Sequence, residues 1–326
     1  MTADGKAIRQ DGAGNEPGKD CRIKTGNKTA AGERKMEQGY TLMHEHTTLD
    51  LSGIKRDDDC RLDCFEETVK ELRELYQYGV RTILDVTNTG MGRNIRYMEA
   101  AARASGIRIL PCTGFYKEPF LPPWVCERTA AELAEFMVGE ITQGIEGNSL
   151  RAWAVGEVGT GRKKMGQQER KVLDAAAQAA VRTGVAVTTH TTLGTLGREQ
   201  AEFLTERGVS PSKIVIGHMD LAGKMEAIYS VLETGVNVGF DTVGKEHYCP
   251  DAFRIKALKE IQDRGMISQV VLSMDITRKS HLKYRGGLGY AYLFTDFLPA
   301  ARAHGVTAES IDRMLIHNPR RILEGG

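Results

Sequence analysis

From Tyr40 onward the chain repeats one pattern: a short apolar run that ends in polar residues, then a stretch whose apolar positions recur at helical spacing. The first run, Tyr40 to Asp50, precedes a helix near Phe65 to Tyr78, where Val69, Leu72, Leu75 and Tyr76 share a face and Gly79 marks the stop. Further strands are expected at Val80 to Asn88, Ile107 to Phe115, Ala152 to Val158, Gly184 to Thr192, Lys213 to Asp220, Gly235 to Thr242 and Gln269 to Thr277. Helices fall between them: Asn94 to Ser105, a Thr129-capped helix to Gln143, Gln167 to Thr183, Leu196 to Arg207, Leu221 to Glu233 and Asp251 to Arg264. The remainder reads as helical, interrupted at Pro299 and starting again at Asn318-Pro319.

Strand interiors such as Lys213-Ile-Val-Ile and Val270-Val-Leu are almost continuously apolar, as in parallel strands covered on both faces. Eight of them alternating with helices predict an α/β fold, a parallel eight-stranded (β/α)8 TIM barrel over residues 39–326. Residues 1–38 lack apolar periodicity and are expected to form a short N-terminal extension. An open doubly wound sheet is the other reading of the alternation, but no Gly-x-Gly-x-x-Gly turn follows a strand.

Composition narrows the function classes. Hydrophobic content of 41% and charged content of 27% are those of a water-soluble globular protein. With 44 basic against 43 acidic residues, no broad field favours nucleic acid, and no run is long and apolar enough to span a membrane. The cysteines Cys21, Cys60, Cys64, Cys112, Cys126 and Cys249 are scattered and follow no secretory segment, so free thiols in a reducing cytoplasm are expected.

Histidines carry the chemistry. Strand alternation puts His44 and His46 on one side and Glu45 on the other, and two imidazoles from one strand can share a metal ion. Barrel enzymes place reactive groups at the C-terminal ends of strands, where Glu157, His190, His218 and Asp275 also fall. Four of the eight histidines thus sit at strand ends, which scattered core histidines would not do. Six ligands exceed the four that one tetrahedral zinc uses, so two divalent ions, zinc being the expected one, are the natural reading. His44, His46 and Asp275 would hold the more buried ion, His190 and His218 the outer one, and Glu157 would bridge them. The ions would turn a shared water into a hydroxide near neutral pH, and Asp275 would accept and pass on its proton. Near the same mouth, Lys245, Arg278 and His281 suggest an anionic group on a small-molecule substrate, and Tyr116 a hydrogen-bond donor to it.

The stretches Thr41-Leu-Met-His-Glu-His, Gly156-Glu-Val-Gly-Thr, Thr188-Thr-His-Thr-Thr, Gly217-His-Met-Asp-Leu, Gly239-Phe-Asp-Thr-Val-Gly-Lys and Leu272-Ser-Met-Asp-Ile-Thr-Arg-Lys-Ser-His resemble the phosphotriesterase family of the amidohydrolase superfamily, most closely its phosphotriesterase homology protein branch. That resemblance implies the (β/α)8 barrel, a binuclear zinc site whose ligands match His44, His46, Glu157, His190, His218 and Asp275, and a homodimer. Most active family members bridge their metals with a carboxylated lysine at the end of strand four, where this chain has Glu157. The expected activity is hydrolysis of an ester-type bond: a lactone, carboxylester or phosphoester. A one-metal isomerase or lyase and a non-catalytic metal-binding barrel are the competing readings.

Overall fold

The computed structural model describes residues 35–324. Most of the expected N-terminal extension therefore lies outside the described residues. Met36, inside the span assigned to it, is buried beside Ile322 and Leu323, and its backbone N–H donates to Glu324 Oε1 at 2.6 Å.

Eight parallel strands follow one another in chain order around the sheet: β1 (Tyr40–Glu45), β2 (Val80–Asp85), β3 (Arg108–Thr113), β4 (Ala154–Gly159), β5 (Ala186–His190), β6 (Ile214–Ile216), β7 (Asn237–Phe240) and β8 (Val270–Leu272). Representative register pairs are Ile83 with Ile109, Val187 with Ile214 and Val271 with Gly239. The expected parallel (β/α)8 barrel is therefore present, with β1 and β8 meeting to nearly close it. That seam is fastened by side chains: Ser273 Oγ accepts from His44 N–H at 2.8 Å, and Glu45 accepts from the backbone of the segment after β8.

Alternation along each strand sorts the core into two sets. Leu42, Ile83, Ile109, Val155, Val187, Ile216, Val238 and Leu272 pack outward against the helices, while Met43, Leu84, Leu110, Cys112, Ala154, Val215 and Val271 form a separate cluster in the lumen. The main crossover helices are α1 (Phe65–Gln77), α2 (Ile95–Ser105), α3 (Ala130–Thr142), α4 (Gln167–Thr183), α5 (Gly197–Glu206), α6 (Met225–Leu232) and α7 (Asp251–Asp263). Thr129 starts α3 with a reciprocal box, its Oγ1 accepting from Glu132 N–H while the Glu132 carboxylate accepts from Thr129 N–H. Gly106 ends α2 at φ +80°, which a side chain would disfavour.

Three expectations shift. Strands six and eight stop at Ile216 and Leu272, short of the expected Asp220 and Thr277, because their rim residues leave the ladder; His218 at φ +58° and Asp275 at φ +52° adopt left-handed backbone. Gly184 caps α4 instead of opening strand five. Pro299 does not interrupt a helix, whereas a last helix does start at Asn318, as expected, and runs over Asn318–Leu323. Each follows a wide turn, Leu293–Phe297 and Arg313–His317, in which the N–H of Leu298 or Asn318 reaches back five residues; at Pro299 the helix therefore runs on.

Candidate metal centre

All six expected ligands converge at the C-terminal rim. His44 comes from β1 and His46 lies just beyond it; Glu157 comes from β4, His190 ends β5, and His218 and Asp275 stand on the turns after β6 and β8. Glu157 sits in the middle. Its Oε2 is 3.4 Å from His44 Nε2, 3.2 Å from His190 Nδ1 and 3.7 Å from His218 Nε2, and its Oε1 is 3.6 Å from His46 Nε2. Asp275 Oδ1 closes the other side, 3.4 Å from His46 Nε2 and 3.7 Å from His44 Nε2. His190 Nδ1 and His218 Nε2 lie 2.8 Å apart.

Hydrogen bonds around the cluster decide which nitrogens face it. Thr87 Oγ1 donates to Thr48 carbonyl at 2.8 Å, so toward His46 Nδ1, also at 2.8 Å, it is the acceptor. His46 Nδ1 therefore carries the proton and Nε2 presents its lone pair. Asp241 accepts from His218 Nδ1 at 2.7 Å and from its backbone N–H at 2.9 Å; burial opposes the charged ring, but Asp241 and Glu157 raise the His218 pKa well above its ordinary value. The other oxygen of Asp241 is 3.5 Å from His44 Nδ1.

Both carboxylates are anions. Burial alone would push the Glu157 pKa up, but His44, His190 and His218 hold it well below the carboxylate range. Asp275 is likewise buried, and the Lys245 ammonium holds its pKa well below the usual value. Burial and the neighbouring His218 lower His190 to about 4, leaving it neutral.

Both nitrogens of His44 and Nε2 of His46 are buried without a hydrogen-bond partner. Such groups cost roughly 1–3 kcal/mol each when left unpaired. A divalent cation would satisfy the inward-facing ones. Among the described residues, three groups have ligand atoms within 4.8 Å of one another: His44, His46 and Glu157; His44, His218 and Asp241; Glu157, His190 and His218. The donor set of imidazoles and carboxylates thus fits a metal centre, and Glu157 belongs to two of the three groups.

A cavity of about 570 Å³ opens above the cluster, and Tyr116, Lys245, Arg278 and His281 all line it. Each member of that quartet already has a partner. Tyr116 OH stands 3.2 Å from His190 Nδ1. Lys245, buried, donates to the carboxylate and the carbonyl of Asp275, so it acts on the cluster itself. Arg278 pairs with Asp57 at 2.7 Å on the loop after β1. His281 Nδ1 accepts from Thr277 N–H at 3.2 Å, and burial lowers the ring to about 4. Lys117, which reaches Thr192 Oγ1 at 2.8 Å, joins the cavity wall without having been singled out in the sequence. Asp241 was also missed as a site residue, although its position after Gly239-Phe240 is a strand end like the others.

Fold and cluster together define a (β/α)8 barrel with a histidine–carboxylate metal-type centre in its C-terminal mouth. The model of the Phosphotriesterase family matches residues 27–323, and the chain belongs to that family. The phosphotriesterase homology protein of Escherichia coli K12 is 44% identical over 286 residues, 88% of this chain and 98% of that protein. Its crystal structure, complexed with phosphate in the active site, superposes with a TM-score of 0.86, covering 88% of this chain and 99% of that one. An aryldialkylphosphatase of Saccharolobus solfataricus is 30% identical across 87% of this chain and 94% of its own. A lactonase from Listeria monocytogenes is 28% identical, with a TM-score of 0.83 and coverage of 87% and 94%. Relatives on this barrel are therefore hydrolases.

Proposed function

We propose that the protein is a two-metal, zinc-dependent hydrolase of a small ester that carries an anionic group, a lactone, carboxylester or phosphoester. The observation that carries this reading is the meeting of buried, unpartnered ring nitrogens on His44 and His46 with the ionised Glu157 and Asp275. His44, His46, Glu157 and Asp275 would hold one ion; Glu157, His190 and His218 would hold the other. When bound, the ions supply an activated water at neutral pH and Lewis acidity toward the scissile group.

The chain's own residues do the rest. Asp275 takes the proton from the attacking water, and its Lys245 partner keeps it ionised until then. Tyr116 donates to the substrate or leaving group from beside His190. Lys117, Arg278 and His281 line the mouth, where the cations favour a negatively charged substrate. Phosphate in the active site of the Escherichia coli relative supports that choice. Compartment and assembly are read as cytoplasmic and homodimeric; the described cysteines Cys60, Cys64, Cys112, Cys126 and Cys249 are all free, in keeping with a reducing compartment, and no described helix is long and apolar enough to cross a membrane.

The test is to load the purified protein with zinc, count the ions by anomalous diffraction at the zinc edge, and screen lactones, aryl esters and phosphate mono-, di- and triesters. Two ions with turnover of an anionic ester are expected. One tightly held ion without turnover of any ester would replace this reading with an isomerase, a lyase or a binding barrel.

A further inference from the structure

Glu45 lies between the two histidines of β1 yet takes no place in the cluster, and it is fully buried. Its Oε1 accepts from Met274 N–H at 2.6 Å and its Oε2 from Ile276 N–H at 3.2 Å. These two amides flank Asp275, whose backbone sits at φ +52°. A non-glycine residue in that region persists only when its surroundings over-determine it. The segment has left the β8 ladder at Leu272, so no strand hydrogen bond holds it there. Two N–H donors converge on this one side chain, and each of its two oxygens accepts from one of them.

We propose that Glu45 is a positioning residue for Asp275: by gripping the backbone on both sides, it aims the Asp275 carboxylate at His44 and His46 before any ion binds. Asp275 is then held by Glu45 through the amides on either side of it and by Lys245 at its carboxylate and carbonyl. The inference rests on the metal-centre reading. Glutamine at this position would keep one acceptor and turn an NH2 toward one of the two amides. A shorter aspartate would keep both acceptors at a less favourable reach.

Zinc affinities of the parent, Glu45→Gln and Glu45→Asp, taken as stepwise constants from chelator competition and assigned by anomalous diffraction, test this alongside thermal melting. Glu45→Gln is expected to weaken the ion at His44, His46 and Asp275 by about 10–100-fold while the other stays within about twofold, with Glu45→Asp between. Melting at a lower temperature with both zinc affinities unchanged would overturn the proposal and leave Glu45 a fastener of the barrel seam. Amide exchange on the unaltered, zinc-free protein is the second arm and needs no variant. Met274 and Ile276 should exchange slowly, close to their rates with zinc bound; exchange at open-loop rates overturns the proposal. A parent that binds no zinc defeats the metal-centre reading instead, and the exchange arm still decides the role of Glu45.

Discussion

Replacing Asp241 with asparagine changes one charge and one donor at a residue that touches two of the metal-site histidines. Asp241 Oδ1 accepts from His218 Nδ1 at 2.7 Å and from His218 N–H at 2.9 Å, while Oδ2 stands 3.5 Å from His44 Nδ1. The asparagine carbonyl can still take the His218 contacts, so its NH2 must face His44. That NH2 would put a neutral donor where an anion now stands 3.5 Å from His44 Nδ1, removing the charge that raises the His44 pKa. A hydrogen bond to a charged group contributes about 1.5–3 kcal/mol and a neutral one about 0.5–1.5, so the His218 contact alone loses roughly 1–2 kcal/mol. In a chain of this size that lowers the melting temperature of the zinc-free protein by about 1.5–3 °C. Zinc affinity should fall about 10–100-fold, the usual effect of losing an outer hydrogen-bond partner, which corresponds to about 1.4–2.7 kcal/mol. Chelator competition on Asp241→Asn and the parent measures it. A variant that binds zinc within twofold of the parent would refute the role given to Asp241, whatever its melting temperature.

Arg254→Met should be among the most destabilising substitutions away from the metal site. Arg254 is fully buried, with Nε 2.7 Å from Asp220 and Nη1 2.8 Å from Asp251. Removing it strands buried carboxylates at about 3–5 kcal/mol, read by urea melts; a loss under 1 kcal/mol would contradict this. For His281 the folded pKa of about 4 lies below the unfolded 6.5, so its stabilising contribution is complete above pH 6.5 and is lost as pH falls toward 4. Its share is at most about 1.4 kcal/mol per pH unit, and His281→Gln should flatten the acid limb by that share; an unchanged limb counts against a neutral, buried ring. Arg278→Met should raise KM for an anionic ester about 10–100-fold and leave a neutral ester within about twofold. Equal effects on both substrates would assign Arg278 to its Asp57 contact alone.

The sequence alone determined the alternation of apolar strands and amphipathic helices, hence the barrel, and the strand-end residues His44, His46, Glu157, His190, His218 and Asp275. Both follow from local rules: period two for a strand, about 3.6 for a helix, and one rim at which parallel strands all end. Which groups engage those ligands was decided only by the tertiary structure. Lys245, 30 residues from Asp275, binds its carboxylate; Asp57 claims Arg278 across 221 residues; and Glu45 reaches Met274 across the β1–β8 seam. Those partners depend on strand register, barrel closure and the paths of loops that leave the ladder at His218 and Asp275, none of which leaves a periodic trace in the chain. The same holds for the wide turn before Pro299. A proline reads locally as a break, and only the surrounding helix geometry shows that a five-residue reach lets it pass.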